Sequence, residues 1–420
     1  MLPIYTLLIY IAAPIVATAK ALRRGGLAKG ELRNRWGFLD ARFASAPLWI
    51  HAVSVGEVQA AAVLVRALQQ QYPDRPLLVT TGTQTGAQRV RALFGDSVQH
   101  AYLPYDMPGA VRRFLERVRP TAGIVLETEI WPNLFRECHR RRIPLLLASA
   151  RLSEKSVRRY GRLRGLARQA LHEVSIAAQT ATDAERFVAI GADPARVEVI
   201  GNVKFDIHVS DELRANGRAL RLAQFADRPA WIAASTHEGE EEIALDAHDQ
   251  ICRRLSSTLL VLVPRHPQRF AAVKAMLESR RIAYAARSLE QPVNENTSVL
   301  LVDTLGELLM FYAAVDVAFV GGSLVPIGGH NLLEPAALAL PILTGPHNFN
   351  APDIAQLLFS QQAARQIDSR DALANQVESL LIDSDEREAL GTRAKLIVEQ
   401  NRGALHRLLT RIEERIAVSG

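Results

Sequence analysis

The stretch GGSLVPIGGHNLLEPAALALPIL, residues 321–343, decides the fold of this chain. Its glycine pairs follow the apolar run Val315–Val320, and Asn331 then opens a run of helix formers. This succession predicts a buried strand, a loop that lets the backbone approach a ligand, and a helix whose free N–H groups favour a phosphate. Asn331 suits the N-cap, and Glu334 occupies the capping-box position three residues on. For this stretch alone, a well-capped helix in an α/β core is the alternative.

Short apolar runs alternate with helical patterns along the rest of the chain. In the first half these runs lie at residues 48–53, 77–80, 98–103, 122–126, 143–148 and 174–178. In the second half they lie at residues 230–234, 258–263, 298–302, 315–320 and 341–343. Such runs are typical of parallel strands covered by helices on both faces, and such sheets bind ligands at the carboxyl ends of their strands.

The length of 420 residues exceeds what one hydrophobic core usually serves. We therefore predict an α/β fold with two Rossmann-like domains, residues 23–207 and 208–420, that face each other across a cleft. No G-x-G-x-x-G or Walker motif occurs, which argues against dinucleotide and ATP enzymes of those kinds.

An apolar segment opens the chain, since residues 2–19 hold no charged side chain. At about 1.5 Å per residue it nearly spans a bilayer core. The positive charges come after it, at Lys20, Arg23, Arg24 and Lys29, which leaves the remaining chain in the cytoplasm by the positive-inside rule. A cleaved signal peptide is the alternative, but no Lys or Arg precedes the apolar run. We predict an uncleaved anchor over residues 1–22 that spans the membrane or lies in its inner leaflet.

Charge is distributed unevenly between the two halves. Residues 1–208 carry 29 Lys and Arg against 17 Asp and Glu, a net charge of +12, whereas the remaining residues carry 21 against 27, a net charge of −6. Arginine clusters in the first half suit anionic lipid headgroups or an anionic substrate. No zinc-finger, RRM or helix-turn-helix pattern occurs, so nucleic acid is not an expected partner. Cys138 and Cys252 are too few for a disulfide framework or a zinc site.

Two loops of the first half place acids at the ends of predicted strands. Glu57 opens a helix after the first strand, where an acid favours the helix dipole and a carboxylate is also suited to act as a general base. Glu127 and Glu129 follow the strand at residues 122–126. Because they are one residue apart, they leave the strand end on opposite sides, and at most one faces the same site as Glu57.

Basic side chains occupy two further loops. Lys204, at the domain boundary, is placed to reach a phosphate or carboxylate. Arg265 follows a strand of the second domain, and its guanidinium matches a phosphate. His266 directly follows Arg265, and His237 lies in an earlier loop of the same domain, but no metal-ligand spacing accompanies them, so no metal site is predicted.

Nine motifs in a fixed order resemble the family of 3-deoxy-D-manno-octulosonic acid (Kdo) transferases over essentially the whole chain. They are SVGE (54–57), TGTQTGA (81–87), LPYD (103–106), ETEIWPN (127–133), ARLS (150–153), GNVKFD (201–206), STHEGEE (235–241), VPRHPQRF (263–270) and FVGGSLVPIGGHNLLEPAALALP (319–341). The resemblance implies an inverting, metal-independent GT-B glycosyltransferase at the cytoplasmic face of the inner membrane. Such an enzyme needs no cofactor and moves Kdo from CMP-Kdo onto the tetraacyl disaccharide precursor of lipid A (lipid IVA).

The resemblance also implies roles for particular residues. Glu57 matches the catalytic base, and Glu127 with Lys204 matches the positions that stabilise the transition state. The positions that match CMP-binding stretches are Pro264, Arg265, Leu305, Gly306, Glu307, Asn331, Leu332, Leu333 and Glu334. The implied partners are CMP-Kdo, the lipid A precursor and anionic inner-membrane lipids. Two alternatives remain, namely a non-catalytic sugar-nucleotide-binding protein, and a sugar-nucleotide 2-epimerase or another nucleotide-sugar transferase of the same fold. Transfer of one, two or more Kdo units fits these motifs equally.

Overall fold

The computed structural model describes residues 2–22, 30–207 and 209–417, apart from the side chains of residues 20, 21 and 417. The chain divides into two compact units, Met1–Asp206 with Asn401–Gly420, and Ile207–Gln400. The domain starts expected at residues 23 and 208, and the charges of Arg23, Arg24 and Lys29, lie outside the described residues, as does the side chain of Lys20.

The first unit contains a parallel sheet of seven strands in the order β3-β2-β1-β4-β5-β6-β7. The strands are β1 Leu48–His51, β2 Leu77–Thr81, β3 Gln99–Tyr102, β4 Ala122–Leu126, β5 Leu145–Ala150, β6 Ser175–Ala178 and β7 Val197–Val199. The strand order reverses between β1 and β4, and this switch point is where open α/β sheets hold their ligands.

Helices cover both faces of this sheet. They are α1 Leu2–Leu22, α2 Glu31–Arg35, α3 Val55–Gln71, α4 Gln84–Phe94, α5 Pro108–Val118, α6 Pro132–Arg140, α7 Glu154–Gly161, α8 Arg164–Leu171 and α9 Ala181–Ile190. Alternate side chains of β1 enter opposite cores, because successive residues of a strand point to opposite faces. Trp49 packs with Phe114 on one face, while Leu48 and Ile50 pack with Leu64 on the other.

The second unit repeats this architecture with seven parallel strands in the order β10-β11-β9-β8-β12-β13-β14. The elements are α10 Asp211–Leu220, β8 Ala230–Thr236, α11 Glu240–Cys252, β9 Leu259–Pro264, α12 Pro267–Ser279, β10 Tyr284–Ala286, β11 Val299–Leu301, α13 Leu308–Tyr312, β12 Val317–Val320, α14 Leu333–Ala337, β13 Ile342–Thr344, α15 Pro352–Ser360, β14 Arg365–Gln366, α16 Arg370–Ile382 and α17 Ser384–Asn401. Its switch point lies between β8 and β12. The two sheets confirm the predicted α/β, Rossmann-like fold.

The last helix, α18 (Ala404–Ala417), belongs to the first unit, whereas the predicted second domain ran to residue 420. Its apolar side chains Ala404, Leu408 and Ile412 complete the core beneath α3. The carboxylate of Asp206 accepts hydrogen bonds from the backbone N–H groups of Gly403 and Leu405, both at 2.7 Å, and so caps the start of this helix. These contacts hold the end of the chain in the first unit after it has passed through the second. They join residues that are far apart in the sequence, so no local pattern predicts them.

The apolar helix α1 packs one face against the first unit. The Tyr5 hydroxyl donates to Asp106 Oδ2 at 2.9 Å, and the Thr6 hydroxyl donates to Asn133 Oδ1 at 3.0 Å. Ala13 packs against Met107 of the same unit. The opposite face exposes large apolar side chains, namely Ile4, Leu7, Leu8, Ile11 and Ile15. Within the described ranges, Leu2–Ala19 is the one helical stretch long and apolar enough to cross a membrane, and it fits the predicted anchor.

Candidate active site

Glu57 lies at the switch point of the first unit, in the first turn of α3. Ser54 caps this helix and accepts from the Glu57 backbone N–H at 3.4 Å. The Glu57 carboxylate turns back to accept from the Val53 N–H at 2.6 Å and from the Ser54 hydroxyl at 3.2 Å. Glu57 therefore lies in the first helical turn, as the sequence predicts, and these hydrogen bonds fix the position of its carboxylate.

The surroundings of Glu57 favour its protonated form near neutral pH. Burial raises the pKa of Glu57 to about 7, against the Val53 and Ser54 hydrogen bonds, which lower it. The negative charges of Glu127 and Glu129 raise this pKa further. A carboxylate that titrates near neutral pH is suited to accept a proton from a hydroxyl.

Glu127 and Lys204 meet beside Glu57. Lys204 Nζ lies 3.4 Å from Glu127 Oε1, and both side chains are about one-quarter exposed, at 26% and 22%. Glu127 directly follows β4, which lies next to β1 in the sheet, and has a left-handed backbone with φ of 57°. That conformation costs roughly 1–2 kcal/mol for a residue other than glycine, and such strain concentrates at functional sites. The structure thus brings together all three predicted catalytic residues.

Glu129 has different neighbours from Glu127. Burial raises the pKa of the Glu129 carboxyl, whereas the charge of Arg159 opposes that rise. Glu127 pairs instead with Lys204, although the charges of both acids act on Glu57. Of the two acids, Glu127 is the one whose carboxylate pairs with Lys204.

The switch point of the second unit is organised by Glu240, which lies at the start of α11 and is fully buried. Its Oε2 accepts from the N–H groups of His237 at 3.0 Å and Gly322 at 2.7 Å. Its Oε1 accepts from the N–H groups of Ser323 and Leu324, both at 2.9 Å. Consecutive N–H groups such as these form an anion-binding nest. The protein's own carboxylate fills this nest, and no local sequence pattern indicates this role for Glu240.

The glycines of residues 321–329 accommodate the protein's own atoms. A Cβ on Gly321 would lie 2.8 Å from Glu240 Oε2, and one on Gly322, whose φ is 68°, would lie 2.9 Å from the His330 ring. A Cβ on Gly328 would lie 2.6 Å from the Asn350 side chain. The loop predicted to approach a ligand instead packs tightly around a carboxylate and an imidazole.

Arg265 follows β9 and carries a guanidinium that makes no hydrogen bond or ion pair to any part of the chain that the structure describes. Only its backbone N–H is held, by the Thr236 carbonyl at 2.9 Å. Its charge lowers the pKa of His237, His266 and His330, which places it beside these three rings. An unpaired guanidinium at the carboxyl edge of a parallel sheet is a ready partner for an anion.

The segment Asn331–Glu334 leads into α14. The Asn331 side chain accepts from the Leu333 N–H at 3.1 Å and donates to Glu334 Oε1 at 3.0 Å. Glu334 therefore contacts the Asn331 side chain rather than a backbone N–H, so the predicted capping box is replaced by a side-chain pair. The helix has only five residues and ends before Ala339, whose φ is 58°. Its dipole is correspondingly small.

The remaining predicted CMP-binding residues lie at the same sheet edge. Pro264 ends β9, and Leu305–Glu307 follow β11, which pairs with β9. Gly306 has a φ of 88° with open space around it, and Leu305 is exposed. The Glu307 carboxylate is held by Arg287 at 2.7 Å and by the Thr304 hydroxyl. This loop therefore offers its backbone, rather than a free carboxylate, to a ligand.

A group of possible metal ligands lies elsewhere, formed by His139, His172 and Glu173. His139 ends α6, and the other two precede β6, so the group lies at the amino edge of the sheet. Glu57, Glu127 and Lys204 occupy the carboxyl edge. All three side chains are exposed, and His139 Nδ1 already lies 2.7 Å from Glu173 Oε2.

Comparison with known proteins identifies the family. A family profile described as 3-deoxy-D-manno-octulosonic-acid transferase (kdotransferase) matches residues 30–207. A 3-deoxy-D-manno-octulosonic acid transferase from Haemophilus influenzae is 43% identical over 411 residues, 96% of each chain. The chain belongs to the Kdo transferase family. A further Kdo transferase, from Bordetella pertussis, is 38% identical over 428 residues, 98% of each chain.

This Kdo transferase is a glycosyltransferase of lipopolysaccharide biosynthesis with a GT-B-like fold. A UDP-GlcNAc 2-epimerase from Neisseria meningitidis covers 84% of this chain and 98% of its own, with 14% identity and a TM-score of 0.51. At that identity the likeness is one of fold alone. The relatives confirm the predicted family and overturn the epimerase alternative.

Removal of the Glu240 charge tests the organisation of the second unit. We expect Glu240→Gln to destabilise the unit by at least about 3 kcal/mol, because hydrogen bonds to a charged group are worth roughly 1.5–3 kcal/mol each. Hydrogen exchange at residues 322–324 measures the loss directly. Glu238→Gln, two residues away and 85% exposed, is the matched control. Unchanged exchange in Glu240→Gln would contradict the role given to this carboxylate.

Proposed function

We propose that this enzyme transfers Kdo from CMP-Kdo to a primary hydroxyl of the tetraacyl disaccharide lipid A precursor, by a single inverting displacement that requires no metal ion or other cofactor. The observation that carries this proposal is the geometry at the switch point of the first unit, where the Glu57 carboxylate is held by the Val53 N–H and the Ser54 hydroxyl and Lys204 Nζ lies 3.4 Å from Glu127 Oε1. Burial, which raises the pKa of Glu57 to about 7, supports its use as a base.

Glu57 serves as the base in this proposal. Its carboxylate is held by a backbone N–H and a hydroxyl, so it stays in place while its proton is gained or lost. The acceptor hydroxyl passes its proton to Glu57 as its oxygen bonds to the anomeric carbon of Kdo. Lys204 and Glu127, 3.4 Å apart, supply a fixed dipole beside the reacting sugar and its carboxylate.

Arg265 serves the leaving group. When the bond from the anomeric carbon to the phosphate oxygen breaks, its electron pair stays on the phosphate of CMP, whose negative charge increases. A guanidinium without a protein partner stabilises that charge by charge-assisted hydrogen bonds. Asn331–Glu334 and the backbone of Leu305–Glu307 surround the nucleotide in this proposal, with Pro264 at the strand end beside Arg265.

Metal independence is proposed from how the acids of the second unit are used. Hard divalent cations on phosphate substrates are held by carboxylate oxygens. Glu240 is saturated by four N–H donors, and Glu307 is paired with Arg287. The Glu334 carboxylate accepts from the Asn331 side chain, and burial raises its pKa. In this proposal, cationic side chains rather than a metal ion balance the negative charge of the phosphate.

Attachment to the cytoplasmic face of the inner membrane is proposed from α1 and its neighbours. One face of α1 is held by Asp106 and Asn133. Because of this, we propose that the helix lies beside the protein with its opposite, apolar face in the inner leaflet, and that it does not cross the bilayer alone. Tyr160 of α7 lies near Tyr5 of α1, so the exposed arginines of α7 and the turn after it flank the apolar face. Those arginines suit anionic lipids and an acceptor embedded among them.

Loss of the base tests the catalytic role of Glu57. We expect Glu57→Gln to lower kcat at least about 100-fold, since general-base catalysis contributes about 10²–10⁴-fold, and to leave CMP affinity unchanged. In the wild type the reactive form is deprotonated, so kcat/KM falls as pH drops through about 7. Glu154→Gln, an exposed change in the same unit, is the control. A Glu57→Gln enzyme that retains the wild-type pH profile would exclude Glu57 as the base.

Removal of the arginine tests the donor site. We expect Arg265→Ala to weaken CMP binding at least about tenfold, because each charge-assisted hydrogen bond is worth about 1.5–3 kcal/mol and 1.4 kcal/mol is a factor of ten. Isothermal titration with CMP measures this change. Arg253→Ala, an exposed arginine of the same unit paired to Asp249, is the matched control. Equal CMP affinity in wild type and Arg265→Ala would contradict the assignment.

The exposed face of α1 is tested by charge. We expect the double substitution Leu7→Glu and Ile11→Glu to reduce binding to vesicles of anionic phospholipid at least about 100-fold, since burial of each such side chain is worth about 1.5–3 kcal/mol. Vesicle co-sedimentation measures the bound fraction. Leu222→Glu, an equally exposed leucine of the second unit, is the control. Undiminished binding of the double variant would assign attachment to the basic surface alone.

A further inference from the structure

His237 and His330 are joined by a direct hydrogen bond between their rings. The two Nε2 atoms lie 2.8 Å apart, and the ring planes are within 4° of parallel. At that distance one ring donates its Nε2–H and the other accepts with its Nε2 lone pair. The pair therefore requires opposite tautomers of its two members.

Both rings are held in place through Glu240. The carboxylate accepts from the backbone N–H of His237, and it also fixes the backbone of Gly322. Gly322 leaves only enough space for the His330 ring, since a Cβ there would lie 2.9 Å from it. The short distance between the imidazoles thus follows from one buried carboxylate and one glycine, and the pair is preorganised before any ligand arrives.

Burial and the charges around the pair disfavour its protonated form in the absence of an anion. Burial and the positive charge of Arg265 lower the pKa of His330 to about 3. Burial lowers the pKa of His237, and the neighbouring His266, Arg265 and Arg269 lower it further, while Glu240 raises it. His266 stands edge-on to His237, with ring centroids 5.2 Å apart, but shares no hydrogen bond with it. An anion beside Arg265 places a negative charge next to both rings, and this favours the protonated form of the pair.

We propose that His237 and His330 form a proton-accepting pair that gains one proton when a nucleotide phosphate binds beside Arg265, and that the gained charge stabilises the phosphate as it leaves Kdo. The proposal rests on the donor site proposed above for the second unit. Neither residue belongs to the set predicted from the sequence, and the pair adds a second cation to the one that Arg265 provides.

The proton balance follows from the tautomers. In the neutral pair the ring that donates its Nε2–H has an unprotonated Nδ1, and this nitrogen takes the extra proton from solvent. The resulting imidazolium keeps its Nε2–H bonded to the other ring, which spreads the charge over both. As the bond from the anomeric carbon to oxygen breaks, its electron pair stays on the phosphate beside this cation. The proton returns to solvent when CMP departs.

Proton uptake on binding of CMP tests the proposal. We would titrate the full-length protein with CMP by isothermal calorimetry at about pH 7.5, where the free phosphate is already a dianion because its second pKa is near 6. The measurement is repeated in buffers of different ionisation enthalpy, and the slope of binding enthalpy against ionisation enthalpy gives the protons taken up. We expect at least about half a proton per CMP in the wild type, since a nearby anion favours the charged imidazole.

Variants separate the pair from its surroundings. We expect His237→Gln and His330→Gln each to abolish the uptake, because either change breaks the hydrogen bond, and two variants guard against the misfolding of one. His266→Gln is the matched control and keeps the uptake. Two results would exclude a proton-accepting role for the pair and leave the proposed donor site intact. One is binding of CMP by the wild type without proton uptake, and the other is proton uptake that persists in both variants. No binding of CMP to the wild type would overturn the donor site and the pair together.

Discussion

The second unit depends on one buried carboxylate. Glu240 accepts hydrogen bonds from four backbone N–H groups, which belong to the loops after β8 and β12. Without it, these donors would be buried and unpaired, at a cost of about 1–3 kcal/mol each. Because β8 and β12 flank the point where the strand order reverses, this one side chain sets the distance between the two loops. His237, Gly322 and, through Gly322, His330 take their positions from it.

This arrangement also explains how the unit handles charge. A loop rich in glycine with several N–H groups aimed at one point is a natural phosphate site. Here an internal carboxylate occupies that point, so the loop is rigid and already neutralised. Beside this loop, the guanidinium of Arg265 makes no hydrogen bond or ion pair within the described part of the chain, and the imidazoles lie next to it. An anion is therefore bound by side chains rather than by the backbone of this loop. The imidazoles among these side chains can change their charge when the anion binds.

Two glutamates illustrate how different surroundings give the same group different chemistry. Both carboxylate oxygens of Glu240 are engaged by backbone N–H donors, two on each oxygen. Glu57 has fewer donors, is buried in part, and lies close to Glu127 and Glu129, so its pKa is raised to about 7. The one holds a loop, and the other is suited to take part in proton transfer.

Features of the structure that depend on neighbouring residues could be predicted from the sequence. Central strands such as β1, β4 and β9 are continuous apolar runs, and the Ser54–Glu57 cap is a local motif. The pattern missed β7, β10 and β14, because short strands of two or three residues at or near a sheet edge are partly exposed and carry no such run. It also missed Glu240, three of whose four partners lie more than 80 residues away in the chain, and α18, which packs against α3, far away in the sequence.

The central claim is that this chain moves Kdo from CMP-Kdo to the lipid A precursor without a metal ion. The most direct measurement incubates the purified wild-type protein with CMP-Kdo and the tetraacyl precursor in the presence of a chelator, and follows the lipid by mass spectrometry. We predict that the lipid gains one or more Kdo units, with one CMP released for each. Binding of CMP-Kdo without any change in the mass of the lipid would contradict the claim.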